Sequence, residues 1–229
     1  MVGGVAGTPK TLPWLALFCA VLAIGADHWG QQRAFYLLKP LTTVLIALPL
    51  VVASPGRDKR DSHVKRTMVW ALALCLLGDV LLMFPKGFVA GLAAFLVGHL
   101  LFSLSFIRLG GFGAHGVSFL AVFGVGAGLF IWLRPDLGPF LVPVGLYVLV
   151  ICFMAWQGLG LYLRKGGRAF GWMALGVLLF MLSDTLIAVG KFKAPFPLSG
   201  PLVLGTYWAS LFLLVQATCR LVTQGQDRP

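Results

Sequence analysis

Apolar residues run along this chain in eight blocks of helix length, parted by short polar or Pro/Gly-marked breaks. The blocks fall at 12–26, 35–53, 67–84, 88–107, 117–133, 139–163, 169–189 and 201–222. Their length and few charges predict membrane-spanning helices, since about 20 apolar residues cross a bilayer core. The breaks carry turn chemistry: Pro85-Lys86-Gly87, Leu109 to Gly113, Arg134 to Pro139, and the Pro-rich run Lys191 to Pro201. The first block, behind Lys10, could also be a signal peptide cut near Ala23-Ile24-Gly25. A retained helix is the preferred reading, because further spans follow at once. The expected architecture is an all-α integral membrane protein, one transmembrane domain over residues 1–229 with eight helices.

Composition agrees with the pattern. Hydrophobic residues make up 59% of the chain and charged residues 11%, against about a quarter charged in soluble domains. The net charge of +11 does not signal nucleic acid. Its bases sit in loops beside the spans, where they set topology and meet anionic lipid headgroups. The loop Ser54 to Arg66 alone holds Arg57, Lys59, Arg60, Lys65 and Arg66. With alternating spans, twelve bases fall on one side and six on the other, so both termini are expected in the cytoplasm. Compact loops, with no targeting peptide read, point to a bacterial inner (plasma) membrane. The four cysteines lie in apolar surroundings without metal-ligand spacing and read as small core hydrophobes.

Against this background two residues stand out. All seven acids are Asp, and five are expected in loops, at a span end or in the tail: Asp27, Asp58, Asp61, Asp136 and Asp227. Asp79 and Asp184 lie inside spans three and seven. A carboxylate at a helix centre costs about 2.5–3.5 kcal/mol on insertion scales, so two of them demand a reason. Their settings match: Leu77-Gly78-Asp79-Val80-Leu81 and Leu182-Ser183-Asp184-Thr185-Leu186. Spans three and seven are four helices apart, which suggests two four-helix halves in parallel repeat. Both spans run outward under the expected topology, placing the two carboxyls at one outer level. Lys39, near the start of span two, belongs at that level. It shares a helical face with Tyr36, Thr42 and Thr43, and Pro40 beside it is read as near the first turn, where proline costs little. Tyr207 and Ser210 fall in the outer half of span eight, and His99 nearer the middle of span four. The glycine pairs Gly87/Gly91 and Gly124/Gly128 suggest close helix packing.

Without Glu, an HExxH motif or a second intramembrane His, a catalytic metal is not expected, and no cofactor is implied. Ser103, Ser183 and Ser210 have no paired base in sequence. Two carboxyls sharing a dry cavity would hold one protonated and one charged, with Lys39 beside the charged one. That supplies a general acid and a general base without metal, suited to hydrolysis through an oxocarbenium-like species. The same features also describe a proton-coupled carrier, or a lipid binder without turnover.

The Tyr36-Leu37-Leu38-Lys39-Pro40-Leu41-Thr42-Thr43 segment, Gly78-Asp79-Val80-Leu81-Leu82-Met83, Gly98-His99 and Ser183-Asp184-Thr185-Leu186-Ile187-Ala188 together resemble the YhhN-like lysoplasmalogenase family over nearly the whole chain. The resemblance implies eight spans and hydrolysis of the vinyl ether bond of lysoplasmalogens to a fatty aldehyde and a glycerophospho-ethanolamine or -choline. On that reading the partners are a lysolipid substrate and membrane lipids. Asp79 and Asp184 are the acid/base pair. Lys39 sets their charge or meets the lipid phosphate, with Tyr36, Thr43, His99, Ser183 and Tyr207 as candidate lining residues.

Overall fold

The computed structural model describes residues 11–223. Eight α-helices follow one another: α1 Leu12–His28, α2 Gln32–Val52, α3 Lys59–Leu82, α4 Phe88–Gly110, α5 Gly116–Leu133, α6 Leu141–Lys165, α7 Arg168–Phe192 and α8 Ser199–Thr223. Single 3₁₀ turns at Pro85–Gly87, Arg134–Asp136 and Gly138–Phe140 complete the order, and no strand occurs among the described residues. Six helices, all but α1 and α3, are long and apolar enough to cross a membrane. These six make the chain an integral, multi-pass membrane protein. The α1 helix is apolar but has only 17 residues. Basic residues occupy the first two turns of α3.

Local chemistry sets the helix ends. Asp58 caps α3 by accepting from the Arg60 backbone N–H at 2.8 Å. His115 caps α5, its Nδ1 accepting from the Ser118 N–H at 3.2 Å. Gly166 and Gly167, with φ of 65° and 83°, make the break between α6 and α7 that a side chain would strain.

Three sequence expectations are corrected here. The helix α3 begins at Lys59, so Asp61 lies in its first turn and is buried, 3% exposed, rather than in a loop. A carboxylate there answers the partial positive charge of a helix N-terminus, and Arg60 Nη2 is 3.6 Å from Oδ1. Next, α2 starts at Gln32, with the Phe35 N–H bonded to the Gln31 carbonyl at 3.0 Å. Pro40 therefore stands inside the helix, where it removes a backbone hydrogen bond. Finally, an added Cβ at Gly124 or Gly128 would meet nothing within 4 Å, so that pair faces outward. The packing glycine of α5 is Gly126, where a Cβ would lie 2.3 Å from Cys152 Sγ.

The bundle is apolar outside and partly polar within. Leu120, Ile131 and Trp70 are exposed, whereas Thr42, Thr43, Asp79, His99, Ser103, Ser210 and Gln216 are buried. This is the arrangement that lipid, rather than water, demands of a helix bundle. The most extensive packing is of α3 on α4 and of α7 on α8; α1 lies on α2 as α5 lies on α6, and α2 meets α8 as α4 meets α6. Among the described residues α3 and α7 meet at most at isolated points. One main core runs through the bundle, and a small second cluster gathers Leu133, Leu137 and Val144.

The link between α4 and α5 is held to α6. Gln157 donates to the Gly113 carbonyl at 3.2 Å and accepts from its N–H at 2.9 Å. Arg164 donates to the carbonyls of Gly110 and Gly111 at 3.2 and 3.0 Å. Trp156 Nε1 donates to the His115 carbonyl at 3.0 Å.

Candidate functional site

Helices α2, α3 and α8 build the setting of Asp79. Lys39 and Thr43 stand one turn apart on α2 and both face α3. Lys39 Nζ is 3.5 Å from Asp79 Oδ1. Thr43 Oγ1 and Tyr207 Oη each donate to Asp79 Oδ2 at 2.8 Å. Trp208 Nε1 in turn donates to Thr43 Oγ1 at 3.2 Å, fixing the hydroxyl's direction. Asp79 is 2% exposed and Lys39 9%. A carboxylate with one ammonium and two hydroxyl donors has its charge matched by neighbours rather than by water.

Helices α4, α6 and α7 build the setting of Asp184, which is sparser. Tyr147 Oη donates to Asp184 Oδ2 at 2.5 Å. His99 Nε2 stands 3.9 Å from the same oxygen, too far for a hydrogen bond. The His99 ring is fully buried and neither of its nitrogens has a hydrogen-bond partner. Leaving such groups unmade costs about 1–3 kcal/mol each. The ring is held by Phe180, edge-on at 4.6 Å between centroids, and by Tyr147 at 5.3 Å.

Asp184 differs from Asp79 in what lies in front of it. Its side chain is 14% exposed and forms part of the wall of an apolar pocket of about 720 Å³ counting its open mouth. Tyr147, Phe95 and Met181 share that wall. Phe88 and Phe192, at the ends of α4 and α7, also line it, as do Gly126 and Cys152 from the middle of α5 and α6. Asp79, Lys39, Thr43 and Tyr207 are not part of the lining. Phe95 and Phe180 stand between the two settings: each ring packs against Tyr207 on one side and His99 on the other.

The sequence candidates therefore divide. Lys39, Thr43, Asp79 and Tyr207 form one connected group; His99 and Asp184 belong to a second. Tyr36 sits apart, half-exposed, its hydroxyl donating to the Met83 carbonyl at 3.5 Å. Ser183 turns to α8 and donates to the Val203 carbonyl at 3.0 Å. Ser103 and Ser210 bond backbone carbonyls of their own helices. Sequence reasoning missed Tyr147, Trp208, Phe95 and Phe180. A signal existed for Tyr147: Asp79 and Asp184 are 105 residues apart, and the same step from Thr43 lands on Val148, next to it. Aromatic residues are too common here for the other three to stand out.

Comparison with known proteins adds ancestry to this geometry. The YhhN family model matches residues 34–218. The human lysoplasmalogenase TMEM86B is 31% identical over 221 residues, covering 93% of this chain and 89% of its own. The bovine lysoplasmalogenase TMEM86A is 31% identical, covering 90% and 87%. A lysoplasmalogenase of Mycobacterium tuberculosis is 30% identical, covering 84% and 72%. No solved structure matches the chain. With the family model spanning both carboxyl settings and relatives aligned along most of their length, the chain belongs to the YhhN family.

Proposed function

We propose that this protein is a membrane ether hydrolase that cleaves the vinyl ether bond of lysoplasmalogen-type lysolipids, releasing a fatty aldehyde and a glycerophospho-ethanolamine or -choline. Relatives named lysoplasmalogenase support the reaction. The observation that carries the mechanism is Asp184, a carboxyl in the wall of an apolar pocket with one hydroxyl partner.

Asp184 is the acid. It delivers its proton to the alkenyl carbon remote from the ether oxygen, and the adjoining carbon becomes an oxocarbenium. Asp79, its charge matched by Lys39, lies behind the Phe95 and Phe180 rings as a fixed negative charge that steadies this cation, and the Asp184 carboxylate takes back the proton lost when water adds. His99, with two unpaired ring nitrogens, holds the water beside Asp184. The hemiacetal then collapses: its hydroxyl loses a proton, the bond to the glycerol oxygen breaks, and that oxygen takes a proton up. Tyr147 aims the Asp184 carboxyl.

The same reading gives a single domain of eight spans, both termini cytoplasmic, in two parallel halves. The paired packing of α3 on α4 and α7 on α8 supports the repeat. So does chemistry: Asp79 accepts from α2 and α8, while Asp184 is flanked by α6 and α4.

The deciding experiment incubates the purified protein in detergent with 1-alkenyl and 1-acyl lysolipids and identifies products by mass spectrometry. Aldehyde is expected from the alkenyl species alone. In heavy water it should carry one deuterium on the carbon beside the carbonyl. Folded Asp184→Asn and Asp79→Asn variants should lose about a hundredfold or more in rate; aldehyde release at the parent rate would refute the assignment. Turnover without a sealed compartment also separates an enzyme from a proton-coupled carrier.

A further inference from the structure

Beside the Asp184 pocket, three phenylalanines pack into a cage. Phe88 meets Phe140 at 5.5 Å and Phe192 at 6.1 Å, and Phe140 meets Phe192 at 5.7 Å. Phe88 and Phe192 are also pocket wall. Over this cage lies the ammonium of Lys191, 4.0 Å from the Phe88 ring centre, 5.8 Å from Phe140 and 6.0 Å from Phe192. Ring faces attract an ammonium but accept none of its hydrogen bonds in full, so its donors stay available. Among the described residues Lys191 makes no hydrogen bond and no ion pair. Its neighbour Lys193 is already taken, bonded to Asp136 and lying over Trp132.

Position adds to charge. Lys191 stands seven residues beyond Asp184 on α7, about 10 Å along the axis. In a lysolipid the vinyl ether and the phosphate are separated by the glycerol carbons and their two linking oxygens. That separation is of the same order once the flexible lysine stem is allowed to reach back toward the carboxyl.

We propose that Lys191, steadied by the Phe88, Phe140 and Phe192 rings, is the phosphate-binding residue for a single-chain lysolipid whose alkenyl ether lies at Asp184 and whose hydrocarbon chain runs toward Gly126 and Cys152. The proposal rests on the ether-hydrolase reading and adds to it the selection of a phosphate-bearing headgroup. The recognised group is the phosphate, shared by ethanolamine and choline lipids, and not the terminal amine.

The test compares the parent with Lys191→Met and Lys191→Arg on 1-alkenyl lysophosphatidylcholine, 1-alkenyl lysophosphatidylethanolamine and neutral 1-alkenylglycerol. Lys191→Met should raise KM for both phospholipids by about tenfold or more with kcat held within about twofold. It should leave neutral 1-alkenylglycerol unaffected, which also shows that the variant folds, and Lys191→Arg should recover most of the loss. An equal loss on the neutral lipid, a loss confined to the choline lipid, or no change at all would overturn the proposal. Binding of a saturated 1-alkyl lysophosphatidylcholine, which cannot be hydrolysed, gives a readout free of catalysis. If its affinity falls in Lys191→Met while Asp184→Asn still releases aldehyde, headgroup recognition stands and the acid assignment fails. If Asp184→Asn is inactive and the probe binds Lys191→Met as it binds the parent, the reverse holds.

Discussion

Separating Lys39 from Asp79 is expected to cost more than removing both charges. In Lys39→Met the Asp79 carboxylate keeps its bonds from Thr43 and Tyr207 but loses its ammonium at 2% exposure. Breaking one side of a buried ion pair costs about 3–5 kcal/mol. Asp79→Asn should cost less, about 1–3 kcal/mol. The amide still accepts from both hydroxyls, and Lys39 retains the Asp79 backbone carbonyl at 3.4 Å and the Phe35 ring at 5.9 Å. The double variant buries no net charge and should fall within about 1–2 kcal/mol of the parent. The cycle should therefore close with a coupling of about 2 kcal/mol or more, about thirtyfold or more in the folded ratio. Equilibrium unfolding in mixed SDS micelles, followed by circular dichroism, measures it. Additivity within about 0.5 kcal/mol would refute the buried pair. Activity adds a second axis, because the double variant should regain stability without regaining aldehyde release. If both returned together, Asp79 would be structural and not part of the chemistry.

Other expectations follow from single contacts. Tyr147→Phe removes the hydroxyl that aims Asp184 and should lower kcat by about 10–100-fold with KM near the parent's, read from steady-state aldehyde release. Gly78→Ala would place a Cβ 2.5 Å from Phe95 Cε2. It should destabilise the bundle by about 1–3 kcal/mol in the same unfolding assay, whereas Gly205→Ala, with nothing within 4 Å, should not. Ser183→Ala loses only its bond to α8; a cost of about 0.5–1.5 kcal/mol in stability with near-parent turnover is expected.

The helices were largely legible because each carries a long, mostly apolar run bounded by Gly, Pro or charge. Their ends were less so. Asp61 looked solvated because its neighbours are basic, yet a helix N-terminus can bury a carboxylate that a loop could not. Asp79 and Asp184 were legible because charge inside an apolar block is costly wherever the helix points. Partners on other helices were not, since hydroxyls and rings cost little to bury and leave no mark in the pattern. That is why Thr43 and Lys39, three and four residues from known polar neighbours on one helix, could be grouped in advance. Ser183 shows the converse: adjacency to Asp184 in sequence placed it on a different helix face, about 100° away.

The hydrogen bonds from Gln157 and Arg164 to residues 110–113 bear on how α5 can move. They hold the link ahead of the helix, while its far end, where Lys193 bonds Asp136 and lies over Trp132, carries Leu129 and Leu133, which wall the pocket. The helix is thus tied at both ends, to α6 at its start and to the end of α7 at its finish. Leu133 packs in the small separate cluster with Leu137 and Val144, not in the main core. Releasing the Lys193 tie would let that end shift against a few side chains, away from the layers that hold Asp79 and Lys39 together.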